Sequence, residues 1–388
     1  MSTPQKGFLL IADITGYTMY LSQSELEHAQ EVLQTLLELL VDHTRPPLVI
    51  SRLAGDAVIS YALQGSALQG QTFVEMIENT YVAFRRAIEL MVLNNTCQCN
   101  ACANVASLDL KFFIHYGTFG IQRLSGHDEL VGNDVNLIHR LLKNHVTEQT
   151  RFRAYTLYTS AAIRQLELDE FCQKLVSHRE TYEHLGNVEV WIQDMHPVWK
   201  EKRDTTRITI PPARIALQVE GEIAMPPERV WDYLLQPEFR TTLMGADRQQ
   251  ILNRADGRIA PGTVFQCFHG DRMTTQTILQ WQPFEQMTSE DLTPVPKTYV
   301  LVDFRLAATA TGTRLVQTFS KARGPLLGRI LCNMVLPTMA KSAKKDVEAF
   351  RQQIEQDLAA RGLQVQAASK IPAEKIGEAA ALSLTGSQ

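Results

Sequence analysis

The chain has 388 residues, 45% of them hydrophobic, with 38 lysines and arginines against 42 acids for a net charge of −4. That length fits two or three domains, each able to bury its own core. The small negative balance speaks against a nucleic-acid binder, apolar runs such as Leu36 to Val41 are too short to span a bilayer, and six cysteines do not make a disulfide framework. With no apolar signal core at Met1 to Gly7, these features predict a cytoplasmic globular protein without a membrane span.

In chain order, Gly7 to Ala12 is predicted as a buried strand running into Asp13, Ile14, Thr15, Gly16, Tyr17 and Thr18. A helix follows, with Leu33, Leu36, Leu37 and Leu40 on one face until Pro46 and Pro47 stop it. Two apolar segments, Pro47 to Arg52 and Ala57 to Leu63, flank the hairpin signal Leu53-Ala54-Gly55-Asp56. Phe73 to Leu93 reads as a second amphipathic helix and Leu108 to Tyr116 as another strand. Val131 to Asn144 reads as a turn and helix that places Asn136 and Arg140 on one face. Strands alternating with helices around one hairpin predict an α+β sandwich with a mixed sheet.

Between the second helix and the next strand, Cys97, Cys99 and Cys102 lie close together. In a reducing compartment, such thiols favour zinc or another soft metal over a disulfide. Cys172, His115 or a cysteine of another chain is the candidate fourth ligand. Reactive or incidental thiols are the plainer alternative.

The polar stretch from Lys200 to Arg207, with Pro211 and Pro212 after it, marks a linker over 198–213 between domains at 5–197 and 214–360. In the second domain a strand precedes prolines that announce a helix at Met225 to Trp231. Alternating segments follow at Thr263–His269, Met273–Trp281, Tyr299–Ala307 and Thr313–Ser320. A long helix then carries Leu326, Leu327, Ile330, Leu331, Met334, Val335 and Met339 on one face. Packed into a bent antiparallel sheet, that face would leave an apolar cavity for a small hydrophobic ligand. Residues 361–388 read as a disordered tail.

Asp13 leaves a strand end and Asp56 sits at a hairpin tip, so adjacent strands would bring two hard oxygen ligands together, as magnesium bound to phosphate requires. Gly16 precedes a helix, where the amides of Tyr17 and Thr18 can meet a phosphate. Taken singly, Asp13 is more simply a helix cap and Asp56 a turn residue.

The pieces Ala12-Asp13-Ile14-Thr15-Gly16-Tyr17-Thr18, Arg52-Leu53-Ala54-Gly55-Asp56-Ala57 and Val131-Gly132-Asn133-Asp134-Val135-Asn136, continuing to Arg140, together resemble class III nucleotidyl cyclase domains in order and spacing. Phe112 to Gly117 is similar to the strand and glycine before the family's last active-site turn. The resemblance implies a ferredoxin-like core and a homodimer with shared active sites, acting on a nucleoside triphosphate with Mg2+ or Mn2+. On it, Asp13, Asp56 and the Ile14 carbonyl would hold the metals, Asn136 the ribose, and Arg140 the transition state from the partner chain. Arg52 and Glu129 fall at the base-selecting positions, where they could also pair with one another. Arg52 stands where adenylate-specific members carry lysine, and Leu185 where a phosphate-contacting lysine is usual. These departures leave base specificity open and make a catalytically inactive binding or signalling protein the alternative. Ala224 to Leu234, Trp281-Gln282-Pro283 and the last helix resemble the helix-grip superfamily of START-like and polyketide cyclase-like proteins, which implies a hydrophobic ligand and no particular catalytic residue.

Overall fold

The computed structural model describes residues 3–361 except 67, 96, 98, 125–126, 184, 206 and 255–256, so the expected tail beyond residue 361 lies outside the described residues. The first half comprises β1 (Gln5–Thr15), α1 (Tyr17–Ser22), α2 (Leu26–Thr44), β2 (Val49–Ala54), β3 (Ala57–Leu63), α3 (Gly70–Leu93), α4 (Asn100–Asn104) and β4 (Asp109–Leu124). It continues with β5 (His127–Val131), α5 (Asn133–Leu141), α6 (Val146–Thr150), β6 (Tyr155–Thr159), α7 (Ser160–Leu166), α8 (Asp169–Cys172), β7 (Val176–Tyr182), β8 (Gly186–Asp194) and α9 (Met195–Asp204). The sheet order is β2-β3-β1-β4-β6-β8-β7, with β5 paired to β4 beyond this path. Pairing is antiparallel except between β4 and β6, so the sheet is mixed as expected. Its first four strands, linked through α2 and α3, have the β-α-β-β-α-β order of a ferredoxin-like unit.

Alternation along β1 assigns its two faces. Phe8, Leu10, Ala12 and Ile14 join the core under α2 and α3, with Leu36, Leu40, Phe73 and Phe84. Leu9 and Ile11 join the opposite core with Phe113, Tyr155, Val135 and Ile138. Asp13 continues this second row and therefore emerges on the face that α5 covers.

The second half contains β9 (Ile215–Ile223), α10 (Pro227–Leu235), α11 (Pro237–Leu243), β10 (Arg248–Asn253), β11 (Val264–His269), β12 (Arg272–Gln282), β13 (Gln286–Leu292), β14 (Tyr299–Thr309), β15 (Gly312–Ser320) and α12 (Leu326–Ala360). Its sheet is antiparallel in the order β10-β11-β12-β13-β14-β15-β9, so the first strand closes against the last. The helix α12 is present, but the apolar residues at its start do not face the sheet. Leu326, Leu327 and Met334 are about 70% exposed, at 69%, 70% and 72%, and Ile330 and Leu331 are exposed as well. Ala343, Val347, Phe350 and Ile354, one helical face further along, make the buried contact instead. The side chains of Val335 and Met339 lie outside the described residues.

The expected linker is also revised. Residues 195–204 form α9, which buries Trp199, and the Lys202 ammonium reaches Asn79 at 2.7 Å and Glu78 at 3.5 Å on α3. Its charged residues therefore belong to the last turn of a docked helix, which a count of polar residues cannot distinguish from a connector. The two halves share a polar seam along α3. Glu75 accepts from the indoles of Trp231 at 3.0 Å and Trp281 at 2.6 Å, and Gln71 exchanges two hydrogen bonds with the Ile259 backbone. Glu78 pairs with Arg258 at 3.0 Å. A helix that looked amphipathic is thus buried on both sides over its first three turns.

Candidate functional site

The site starts from a hairpin. Gly55 adopts a left-handed φ of 65°, letting a two-residue turn close between the paired Ala54 and Ala57. The turn puts Asp56 beside the end of β1, whose Asp13 lies opposite Ala57, and the Ile14 amide donates to the Asp56 carbonyl at 3.0 Å. Asp13 and Asp56 are therefore close enough for their charges to interact. Burial foremost, then the Asp56 charge, push the Asp13 carboxyl up to about 6, while Lys111 draws it back.

Lys111 is a component the motifs did not reveal. It is the cross-strand partner of Asp13 on β4, and its ammonium sits 4.9 Å from the centre of the Tyr155 ring. Burial lowers its pKa, opposed by Asp13 and then Asp109. The Tyr155 hydroxyl donates to Asn144 at 2.8 Å. The only advance signal for Lys111 was a cation interrupting an apolar strand. The two acids fit a divalent ion physically, since an added ion would relieve the repulsion between the carboxylates, and the half-buried Lys111 ammonium would compete with it.

After Asp13 the chain turns at Gly16, with φ 89°, and α1 begins at Tyr17. A side chain at Gly16 would come within 3.3 Å of the Ser107 carbonyl. Tyr17 is half-buried and Thr18 exposed at the start of this short helix.

The helix α5 supplies the remaining groups. Val135, Ile138 and Leu141 anchor it to the sheet, leaving Asn136 and Arg140 on its exposed face. Among the described residues, Arg140 forms no ion pair and neither side chain bonds to Asp13 or Asp56. Within one chain, Asn136 and Arg140 are thus not bonded to the two acids. Asp134 fastens the start of α5 by accepting from the Thr118 amide at 2.6 Å and lying 3.3 Å from His115. Gly117 leaves room for it, since a β-carbon there would stand 2.3 Å from the Asp134 carboxylate. His115 also meets the Thr159 hydroxyl at 2.9 Å, so it is committed far from the cysteines it was considered for.

Arg52 and Glu129, the base-selection candidates, meet each other at 3.3 Å in a partly exposed ion pair. His139 is close by, its pKa lowered by burial and then by the Arg52 charge. Leu185 lies in the turn between β7 and β8, its amide donating to the Tyr182 carbonyl at 3.3 Å.

The cysteines sit on the opposite face of the first half. Cys97, Cys99 and Cys102 are joined by His28 of α2, with their four ligand atoms within 4.8 Å of one another. Among the described residues, His28 rather than Cys172 or His115 is grouped with the three thiols. In the second half, Arg240 is buried, donating to Gln276 at 2.6 Å and lying 4.3 Å from the Phe265 ring centre. Gln276 donates in turn to Ser289 and Asp291, and burial pushes the Asp291 carboxyl up to about 6.

A family described as "Protein of unknown function (DUF2652)" matches residues 33–151. The uncharacterized protein Rv2561/Rv2562 of Mycobacterium tuberculosis (strain ATCC 25618 / H37Rv) is 33% identical over 113 residues, 29% of this chain and 51% of that one. The chain thus spans about half the length of this curated relative. Similar solved structures include the guanylyl cyclase Cya2, 14% identical, covering 49% of this chain and 92% of its own, with a TM-score of 0.39. A bacterial light-regulated adenylyl cyclase is 12% identical over 52% of this chain and 57% of its own, with a TM-score of 0.37. The catalytic core of a rhodopsin-guanylyl cyclase in complex with ATPalphaS is 15% identical over 50% of this chain and 99% of its own, with a TM-score of 0.35. No helix of the described residues is long and apolar enough to cross a membrane.

Proposed function

We propose that this chain is a metal-dependent nucleotidyl cyclase, converting a nucleoside triphosphate into a cyclic nucleotide and pyrophosphate as a homodimer with shared sites. The observation that carries the reading is the convergence of Asp13 and Asp56 at one corner of the sheet, with the mutual repulsion that a cation would relieve. The order of the surrounding motifs supports the same assignment.

In this reading Asp13, Asp56 and the Ile14 carbonyl hold Mg2+ or Mn2+, which would lower the pKa of the ribose 3′-hydroxyl and steady the α-phosphorus. The amides following Gly16 meet the phosphates. Asn136 orients the ribose, and Arg140 of the second chain offsets charge on the α-phosphoryl oxygens as the 3′-oxygen bonds to phosphorus and pyrophosphate departs. The exposed setting of Asn136 and Arg140, neither of them bonded to the acids of its own chain, supports a site completed by a second copy. Base choice falls to Arg52 and Glu129, whose ion pair would open to admit an edge of the base. The second half is read as a helix-grip domain governing output through a hydrophobic ligand, a reading supported for the fold by its seven-stranded antiparallel sheet and long last helix.

The Arg52–Glu129 pair and the leucine at 185 favour one rival: a catalytically inactive, cyclase-like binding or signalling protein. Incubating the protein with each nucleoside triphosphate and Mg2+ or Mn2+, with mass spectrometry of the products, separates the two. A cyclic nucleotide that disappears in Asp56→Ala supports the enzyme; no product from any triphosphate supports the rival.

A further inference from the structure

We infer that His28, Cys97, Cys99 and Cys102 bind a single structural zinc ion. The assignment rests on the geometry of four side chains and is independent of the nucleotide chemistry.

The His28 Nδ1 atom lies 3.2 Å from the Cys99 sulfur, 3.7 Å from that of Cys97 and 4.0 Å from that of Cys102. A tetrahedral zinc with Zn–S near 2.3 Å and Zn–N near 2.05 Å separates its nitrogen and sulfur ligands by about 3.6 Å. The three observed separations bracket that value, so a small adjustment of each side chain would put one ion within bonding reach of all four atoms. Three thiols cannot all pair with one another, and all three are free. A Cys₃His set suits zinc, and four protein ligands leave no open position for substrate chemistry.

Backbone amides face two of the three sulfurs, while burial and the neighbouring thiols push the Cys102 thiol up to about 12, a cost the ion's charge would offset. The Cys99 amide points at the Cys97 sulfur at 3.5 Å and the Cys102 amide at the Cys99 sulfur at 3.4 Å, contacts that spread negative charge from the sulfurs. Asn95 accepts from the Cys97 amide at 2.8 Å, and Glu25, just ahead of α2, accepts from Asn100 and from the Ala101 amide at 3.1 Å. These bonds fix Cys97 and the start of α4, where Cys99 and Cys102 lie. On binding, each thiol would release its proton to solvent, and His28 would donate its neutral Nδ1 lone pair. The ion would then fasten the first turn of α2 to a loop 71 residues further along. That loop leads into α4 and the Ser107 carbonyl that closes over Gly16, so the clamp would brace the turn that follows Asp13.

The test uses the full chain, purified reduced and without added chelator. Elemental analysis should find one zinc per chain, and exchange with cobalt(II) should give the visible bands of a tetrahedral site with thiolate charge-transfer absorption. His28→Ala should lower zinc affinity by more than about 100-fold in a chelator competition, since losing a ligand costs more than losing its outer support, whereas Cys172→Ser should leave it unchanged. His28→Cys, which keeps four ligands, should restore tight binding. If the variants fail to fold, the cobalt spectrum of the wild-type chain still decides, because its charge-transfer intensity reports three thiolates. No zinc bound by the reduced chain, copurification of iron or copper in its place, or equal affinity in folded His28→Ala would overturn the assignment.

Discussion

Glu78→Gln tests how firmly the two halves are joined. The Glu78 carboxylate is buried at the seam, 3.0 Å from Arg258 and 3.5 Å from Lys202, and also accepts from Gln193 at 2.9 Å. Burial alone would raise its pKa, but the Arg258 and Lys202 charges outweigh it and hold the group at about 2, against 4.5 for an ordinary glutamate. A carboxyl lowered by that much contributes about 3 kcal/mol to folding. Because the folded value is the lower one, this contribution is complete above pH 4.5 and is lost as pH falls through about 2. The glutamine variant keeps the shape but leaves two cations at the seam without their counter-charge, a change that costs roughly 3–5 kcal/mol for a buried pair. Both cations retain some exposure, at 21% for Arg258 and 26% for Lys202, which places the expected loss at the lower end of that range. Urea unfolding of the full chain and the variant, at steps from pH 7 to pH 2.5, should show a difference of about 3 kcal/mol at neutral pH that shrinks in acid. A loss below about 1 kcal/mol, or one that does not change with pH, would refute the reasoning and return the seam to the value of a surface ion pair.

Lys111→Met should tighten Mn2+ binding about fivefold, from roughly 1 kcal/mol of relieved repulsion, as read by electron paramagnetic resonance at pH 8; weaker binding would mean the lysine serves the acids rather than competing for them. Gly117→Ala should lower stability by about 1–3 kcal/mol in thermal melts, because its β-carbon would displace Asp134 from the Thr118 amide. Asp291→Asn should raise stability at pH 8 by up to about 3 kcal/mol, since burial lifts that carboxyl from 3.8 to about 6. This penalty applies above pH 6 and fades as pH falls toward 3.8, so melting temperatures of variant and parent should draw together near pH 4.

Much of the first half was legible because its elements are written in apolar periodicity. The strand that carries Asp13, the hairpin at Gly55-Asp56 and the helices α2 and α3 all follow from local pattern. What escaped depends on partners distant in sequence. Glu75 and Glu78 look like the wet face of an amphipathic helix, and only Trp231, Trp281 and Arg258, more than 150 residues away, turn that face into an interior. His28 carries no motif and meets the cysteines only once α2 lies beside their loop. The strands β10 and β13 carry no apolar alternation to mark them, because their sequences, Arg248–Asn253 and Gln286–Leu292, are largely polar. The start of α12 misled in the other direction: its leucines fit a core helix by spacing, yet the sheet is covered by the following turns.

The shared-site claim is tested most directly by mixing two inactive proteins. Asp56→Ala and Arg140→Ala should each abolish cyclic nucleotide formation, and co-refolded at equal amounts they should recover about a quarter of wild-type turnover. Half of randomly paired dimers are mixed, and each of those rebuilds one site of two. Recovery near that level is the expected result, whereas no turnover despite heterodimers proven by mass would contradict a centre made from two chains.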